Sequence, residues 1–223
     1  MIRIQWWVDA AAVALTAATL SAGPIYSFDC ITNNRLEDAA IGEAQLFMDV
    51  YEAGLDQVGF RFFNTGPAAS SITGVYFDDG ALLGIAYITN GQGVDFAQWA
   101  SPPNLPGGHE LTPPFVTTAG FLADSNPPVQ LNGVNPGEQL WIVFDLKERP
   151  SGGRYSWTDV LWGLNHPLDE ELGVRVGIKV QGFDSGGSES FVNNLDNPIP
   201  APAAVGLAGL GITLAGWMRR RLA

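Results

Sequence analysis

Hydrophobic and polar residues alternate over much of the middle of the chain. Leu46, Met48 and Val50 are each separated by one residue, and the same spacing returns in the segment 58–63. Successive side chains of a β-strand point to opposite faces, so a period of two residues predicts strands with one buried face. Gly54 lies between the two runs and favours a turn. The sequence therefore predicts an antiparallel hairpin in this region.

Short runs of the same kind continue towards the C-terminus, at 72–77, 82–88, 140–146, 174–183 and 190–192. Residues typical of turns separate them, as in Asp78-Asp79-Gly80 and Asn135-Pro136-Gly137. Many short strands with such breaks are typical of folds built from antiparallel sheets. We therefore expect a mainly β body over residues 28–197, an antiparallel two-sheet β-sandwich of the jelly-roll or immunoglobulin-like type.

Two parts of this body depart from the alternation. Ser156 is followed three residues later by Asp159 and then by apolar residues between 160 and 164. This pattern is typical of a capped helix, and it is the one internal helix that we predict. Residues 97–138 contain eight prolines. They predict a long irregular excursion with one edge strand near 115–122.

The C-terminal part of the chain has the length and polarity of a membrane span. Residues 201–218 carry no charged side chain, and a helix of that length reaches about 27 Å, close to the thickness of a bilayer core. Arg219, Arg220 and Arg221 follow at once. Such a cluster stays on the cytoplasmic side of a membrane. We therefore expect a transmembrane helix, a membrane stop at the three arginines, and a body on the outer side.

The N-terminal part is predicted to carry the signal that exports this body. Residues 10–20 form an apolar run of signal-peptide length, and small residues follow it. We assign residues 1–27 to a signal peptide. Cleavage after Ala18, Ser21 or Ser27 is compatible with the sequence.

Residues 198–223 combine three features in a fixed order, namely a Pro-x-Pro element, an apolar segment rich in Gly and Ala, and a terminal arginine cluster. This order resembles the PEP-CTERM sorting signal of exported bacterial proteins. Pro200, Ala201 and Pro202 form the element, with Ala in place of the usual Glu. The resemblance implies processing by an exosortase, transient anchoring in the inner membrane, and delivery to the cell surface or biofilm matrix of a Gram-negative bacterium. It implies nothing about the ligand of the body.

The charge and cysteine content exclude several classes of function. The predicted body holds 22 acidic and 7 basic residues, a net charge of −15. Nucleic-acid binding depends on Lys and Arg contacts to phosphates, so we expect no nucleic-acid partner. Cys30 is the single cysteine, which excludes an intrachain disulfide framework. We expect it to be a small buried side chain rather than a lipidation site.

No sequence motif assembles an active site. His109 and the glutamate after it begin like a zinc-protease helix, but Pro113 stands where the second histidine would be. His166 is expected to lie in a surface loop. The chain is therefore predicted to be a non-enzymatic protein with a structural or binding role. The alternative is a surface polysaccharide-binding module or a polysaccharide-acting enzyme, the latter with carboxylates such as Asp159 or Glu170.

Tryptophans and acidic turns supply the candidate ligand-binding residues. An exposed aromatic ring can stack on the apolar face of a sugar, and we assign this role to Trp99 and Trp157. Trp141 and Trp162 are expected in the core. Calcium is the one cofactor considered, since it binds carboxylate oxygens in loops. The carboxylates considered for calcium lie in two turns: Asp78 and Asp79 in one, and Asp184 and Glu189 around the other.

Overall fold

The computed structural model describes residues 23–80, 82–99, 103–125 and 128–193. The strands in this part of the chain are β1 (Ile25–Cys30), β2 (Leu46–Gly54), β3 (Gln57–Asn64), β4 (Ser71–Asp78), β5 (Leu83–Asn90), β6 (Phe96–Gln98), β7 (Ala119–Ala123), β8 (Gln139–Leu146), β9 (Arg175–Gln181) and β10 (Glu189–Asn193). The helices are α1 (Leu36–Gln45) and α2 (Trp157–Asn165), with single 3-10 turns at Gly108–Glu110 and Val129–Leu131. The predicted mainly β character is confirmed, with 42% strand against 15% helix.

The strands form one antiparallel sheet that curls back on itself. Their order is β5-β8-β3-β2-β1-β10-β9-β4-β7-β6. The curl is at β1, because residues 25–27 pair with β2 and residues 28–30 pair with β10. We call β5, β8, β3 and β2 the first half, and β10, β9, β4, β7 and β6 the second half. The sheets that we expected to be separate are therefore joined through a shared strand.

The two halves face each other across a core of phenylalanine rings. Phe77 of the second half lies 5.0 Å from Phe60 and 4.8 Å from Phe144 of the first half, measured between ring centroids. Phe121 lies 5.9 Å from Phe144. All four side chains are fully buried and meet edge to face, the arrangement that aromatic rings prefer. Alternate residues of each half consequently point away from this core.

The hairpin and most of the other predicted strands are confirmed. Val50 of β2 pairs with Phe60 of β3, and Asp56 takes a positive φ of 58° in the turn between the two strands. The strand expected near 115–122 is present as β7, but it lies between β4 and β6. The prediction of an edge position was therefore wrong, because β6 pairs with the free side of β7.

Of the two helices in the described part of the chain, the sequence predicted α2 and missed α1. Ser156 and Asp159 form a reciprocal capping box at the start of α2. The second helix, α1, was not predicted. Gly42 of α1 faces the ring of Phe191 so closely that a Cβ atom would collide with it. This contact with β10 holds α1 against the sheet.

The predicted targeting segments lie largely outside the described residues. These are the signal peptide up to residue 22, the Pro200-Ala201-Pro202 element, the apolar span and the arginines at 219–221. Within the described part of the chain, no helix is long and apolar enough to cross a membrane. The boundary proposed at residue 27 falls inside β1, where Tyr26 is buried in the core. Cleavage after Ser27 would remove the half of β1 that pairs with β2.

Candidate functional site

The four carboxylates assigned to calcium do not come together. Asp78 ends β4, whereas Asp184 and Glu189 lie after the end of β9. β4 and β9 are antiparallel, with Asp78 opposite Arg175 and Ser71 opposite Gln181. The two groups are therefore at opposite ends of this strand pair, about 20 Å apart at 3.3 Å per residue. The described residues contain no group of three or more His, Cys, Asp or Glu side chains that could hold a metal ion.

Asp78 and Asp79 instead stabilise the neighbouring turns through hydrogen bonds and a salt bridge. Asp78 forms a salt bridge with Arg175 and accepts a hydrogen bond of 3.0 Å from the backbone N–H of Val116. Asp79 accepts one of 2.8 Å from the N–H of Leu83 and another from the Thr118 hydroxyl. Burial raises the pKa of Asp79, and these hydrogen bonds offset the increase only in part. Both carboxylates are therefore bonded to groups within the fold.

Glu189 is a buried cap for α1 rather than a metal ligand. It is only 1% exposed. Its carboxylate accepts hydrogen bonds from the N–H of Arg35 at 2.7 Å, the N–H of Asn34 at 3.0 Å and the hydroxyl of Thr32 at 2.5 Å. Burial alone would raise the pKa of Glu189, but these hydrogen bonds outweigh it and lower the pKa. The unpaired N–H groups at the start of a helix favour a negative charge at this position.

Cys30 lies beside the same carboxylate. Its side chain is half-buried, and Sγ is 3.5 Å from an Oε2 atom of Glu189. Burial raises the pKa of the Cys30 thiol, and the nearby negative charge acts in the same direction. A thiol of this kind is a weak nucleophile at neutral pH.

The residues considered for catalysis are separate from one another. Asp159 is committed to the α2 cap and to a salt bridge with Arg149. Burial opposes ionisation of Asp159, yet hydrogen bonds from Ser156 and Arg149 lower its pKa overall. Glu170 is exposed in the loop after α2. His166 stacks on Trp162 with ring centroids 3.6 Å apart. This geometry gives no pair of acid and base groups around a common space.

The tryptophans occupy four different environments. Trp99 is 54% exposed, as its sugar-stacking assignment requires, but Trp157 packs against the core. Trp162 is 49% exposed on α2, so the expectation that it is a core residue was wrong. Trp141 was also expected in the core and is half-buried on the outer surface of the first half, opposite Arg61. Trp99 is therefore the one assigned stacking residue that is free to contact a ligand.

Trp99 lies at the side of a groove on the outer face of the second half. The groove has a volume of about 600 Å³. Its floor is formed by strand residues that point away from the core. Its walls come from two parts of the proline-rich excursion, residues 103–106 and 128–130. We call it the Trp99 groove; it is lined by Thr73, Tyr76, Trp99, Pro103, Asn104, Pro106, Leu122, Ala123, Ser125, Pro128, Val129, Gln130, Lys179 and Gln181.

Both walls of the Trp99 groove are fixed to the sheet. On one side Leu105 is buried against Gly177 of β9, where an added Cβ would lie 2.5 Å from its Cδ2 atom. On the other side the Ser71 hydroxyl donates a hydrogen bond of 2.9 Å to the backbone carbonyl of Gln130. The N–H of Trp99 donates to the carbonyl of Gly120 at 3.2 Å. The groove is therefore a built feature of the fold.

The lining of the groove combines apolar surface with neutral hydrogen-bonding groups. Tyr76 lies in the floor, and its burial raises its pKa to about 12, so the hydroxyl stays protonated. Asn104, Gln130 and Gln181 bring side-chain amides to the same space. A concave site of this size, with one exposed ring and several convergent polar groups, has the usual character of a small-ligand site.

Comparisons with protein-family models, curated proteins and solved structures gave no match.

Proposed function

We propose that the chain is an exported bacterial surface protein whose body binds polysaccharide in the Trp99 groove without cleaving it. The observation that carries this proposal is the exposed Trp99 ring beside a groove with three amide side chains. Amides supply both donors and acceptors for sugar hydroxyls. The aromatic ring offers the apolar surface on which a pyranose can stack.

The composition of the groove favours binding over hydrolysis. Most glycosidases use two carboxyl groups on either side of the scissile bond. The described residues that line the Trp99 groove include neither Asp nor Glu. Asp159 and Glu170, the carboxylates considered for an enzyme, are not among them. The geometry therefore offers no support for the enzymatic alternative.

The cellular location in this proposal comes from the C-terminal segment. Its Pro-x-Pro element, apolar span and arginines at 219–221 have the order of a PEP-CTERM-like signal. Export, processing by an exosortase and retention at the surface or in a polysaccharide matrix follow from that resemblance. A protein held in such a matrix would meet polysaccharide at high local concentration. We also propose that the curled sheet is a variant of the jelly-roll or immunoglobulin-like sandwich, since its two halves face each other.

The binding function is tested by replacing Trp99 with alanine. Affinity electrophoresis in gels containing one neutral or one acidic polysaccharide should retard the natural protein. Trp99→Ala should lose about fivefold in affinity, because stacking on an aromatic ring contributes on the order of 1 kcal/mol. Trp162→Ala is the matched control, since Trp162 is equally exposed but lies on α2. Equal retardation of all three proteins would refute the assignment of the groove. A reducing-sugar assay on the same mixtures should remain at background.

The sorting function is tested separately in cells. Deletion of the arginines at 219–221 should release or misplace the protein, because the apolar span is short and depends on its charged stop. Fractionation of the bacterial host measures the distribution. Unchanged membrane retention of the deletion variant would contradict the proposed anchor.

A further inference from the structure

The Trp99 groove differs in charge from the rest of the body. The predicted body has a net charge of −15, yet Lys179 is the only charged side chain among the described residues that line the groove. The groove is thus a surface with one positive charge on a strongly acidic protein.

The position of Lys179 directs its side chain into this space. Lys179 lies on β9, where it pairs with Gly74 of β4 and with Ser190 of β10. Neither neighbour is charged, and the space beside Gly74 is filled by the uncharged side chains of Tyr76 and Leu122. Gly177, two residues earlier on the same face, is covered by Leu105. The excursion therefore covers the β9 face at Gly177, whereas Lys179 on the same face is half-buried and lines the groove.

The described residues provide no carboxylate partner for Lys179. By contrast, four arginines form salt bridges: Arg61 with Asp49, Arg149 with Asp159, Arg154 with Asp56 and Glu148, and Arg175 with Asp78. No salt bridge joins Lys179 to any described residue. A half-buried lysine that lines a groove and has no carboxylate partner among the described residues is suited to bind an anion from outside.

We propose, on the basis of the proposed polysaccharide-binding function, that the Trp99 groove selects an acidic polysaccharide and that Lys179 binds the carboxylate of one uronic acid residue. The sugar ring next to this carboxylate stacks on Trp99, and the amides of Gln130 and Gln181 bind its hydroxyl groups. The overall negative charge does not prevent this contact. Charges more than about 8 Å away are largely screened at physiological ionic strength, whereas a direct contact in the groove is not.

The test compares one polymer in two charge states. The full chain, kept in detergent, is titrated with polygalacturonate and with the same polymer after reduction of its carboxyl groups. The buffer contains a chelator, so that calcium cannot bridge acidic groups. The natural protein should bind the acidic polymer about tenfold more tightly than the reduced polymer. Lys179→Gln should bind both polymers equally and weakly. Raising the salt concentration should weaken binding of the acidic polymer only.

Lys147→Gln is the matched control, since Lys147 is an exposed lysine outside the groove. It should retain the full preference for the acidic polymer. Equal binding of both polymers by the natural protein, with loss in Trp99→Ala, would overturn the assignment of acidic sugars and leave the proposed binding function intact. Absence of binding to both polymers and to a panel of neutral polysaccharides would overturn both proposals. An unchanged preference in Lys179→Gln would overturn the role of this lysine.

Discussion

Replacing Glu189 by glutamine removes a negative charge that joins three parts of the body. Glu189 is the first residue of β10. Its carboxylate caps α1 by accepting hydrogen bonds from the backbone N–H groups of Asn34 and Arg35. It also accepts a hydrogen bond from the hydroxyl of Thr32, which follows β1. Glutamine keeps the size of the side chain and one acceptor oxygen. Its amide nitrogen, however, is a donor that faces other donors, so at least one N–H or O–H group loses its partner.

The magnitude of this effect follows from the burial of the site. Hydrogen bonds to a charged group contribute about 1.5–3 kcal/mol each, and a buried donor left without a partner costs a similar amount. Since glutamine can still accept some of these bonds, we expect Glu189→Gln to lower the free energy of unfolding by about 2–3 kcal/mol at pH 7. Urea unfolding followed by tryptophan fluorescence measures this difference. Glu52→Gln, an exposed change on β2, should alter it by less than about 0.5 kcal/mol.

The pH dependence supplies a second readout for Glu189. The folded state lowers the pKa of this carboxyl below its usual value of 4.5. The charged form therefore stabilises the fold above about pH 5, and this contribution is lost as the pH falls through the lowered pKa. The difference between the natural protein and Glu189→Gln should be constant from pH 7 to pH 5 and should shrink below it. A difference under 0.5 kcal/mol at pH 7, or one that grows in acid, would refute the capping role.

Two further predictions concern contacts that hold the surface loops. Arg175→Met should lower the free energy of unfolding by about 3 kcal/mol or more, because it leaves the half-buried Asp78 carboxylate without its cation. Arg154→Met is the exposed control and should lower it by less than about 1 kcal/mol. Equal losses in urea unfolding would contradict this. Ser156→Ala should cost about 1 kcal/mol by removing the hydroxyl that caps α2. Thermal denaturation with no change in Tm would argue against the cap.

The strands were predictable because their signal is local. The segments that became β2, β3 and β8 alternate between more and less buried positions over much of their length. The segments that became β4 and β9 are short apolar runs, buried at nearly every position. β1 has the same alternation at Tyr26 and Phe28, but its first half was assigned to the signal peptide. The start of α1 was not predictable in this way. Its cap, Glu189, is more than 150 residues away in the sequence.

The candidate site was predictable only in its most exposed member. Trp99 follows a strand and precedes a proline-rich segment, so its exposure could be expected. No sequence pattern pointed to Lys179 as a binding residue. Its place in the groove depends on the pairing of β9 with β4 and on the excursion that packs over the sheet. The ion pair of Asp78 was hidden from the sequence for a related reason. A pair of acidic residues in a turn does not reveal whether its partners are a cation or, as for Asp78, an arginine from another strand.

The groove depends on which part of the outer face the proline-rich excursion covers. Leu105, Phe115 and Tyr76 form a small second cluster with Val192 on the outside of the second half. This cluster fixes the excursion over Gly177, where the absence of a side chain provides the space that Leu105 fills. The remainder of the same face cannot be covered by the fixed segment and stays open beside Trp99. The spacing of Gly177 and Lys179 on β9 therefore has two consequences: apolar residues of the excursion pack over the first, and polar residues of the groove stay exposed beside the second. An irregular segment fixed to the sheet in this way can form a site of defined shape.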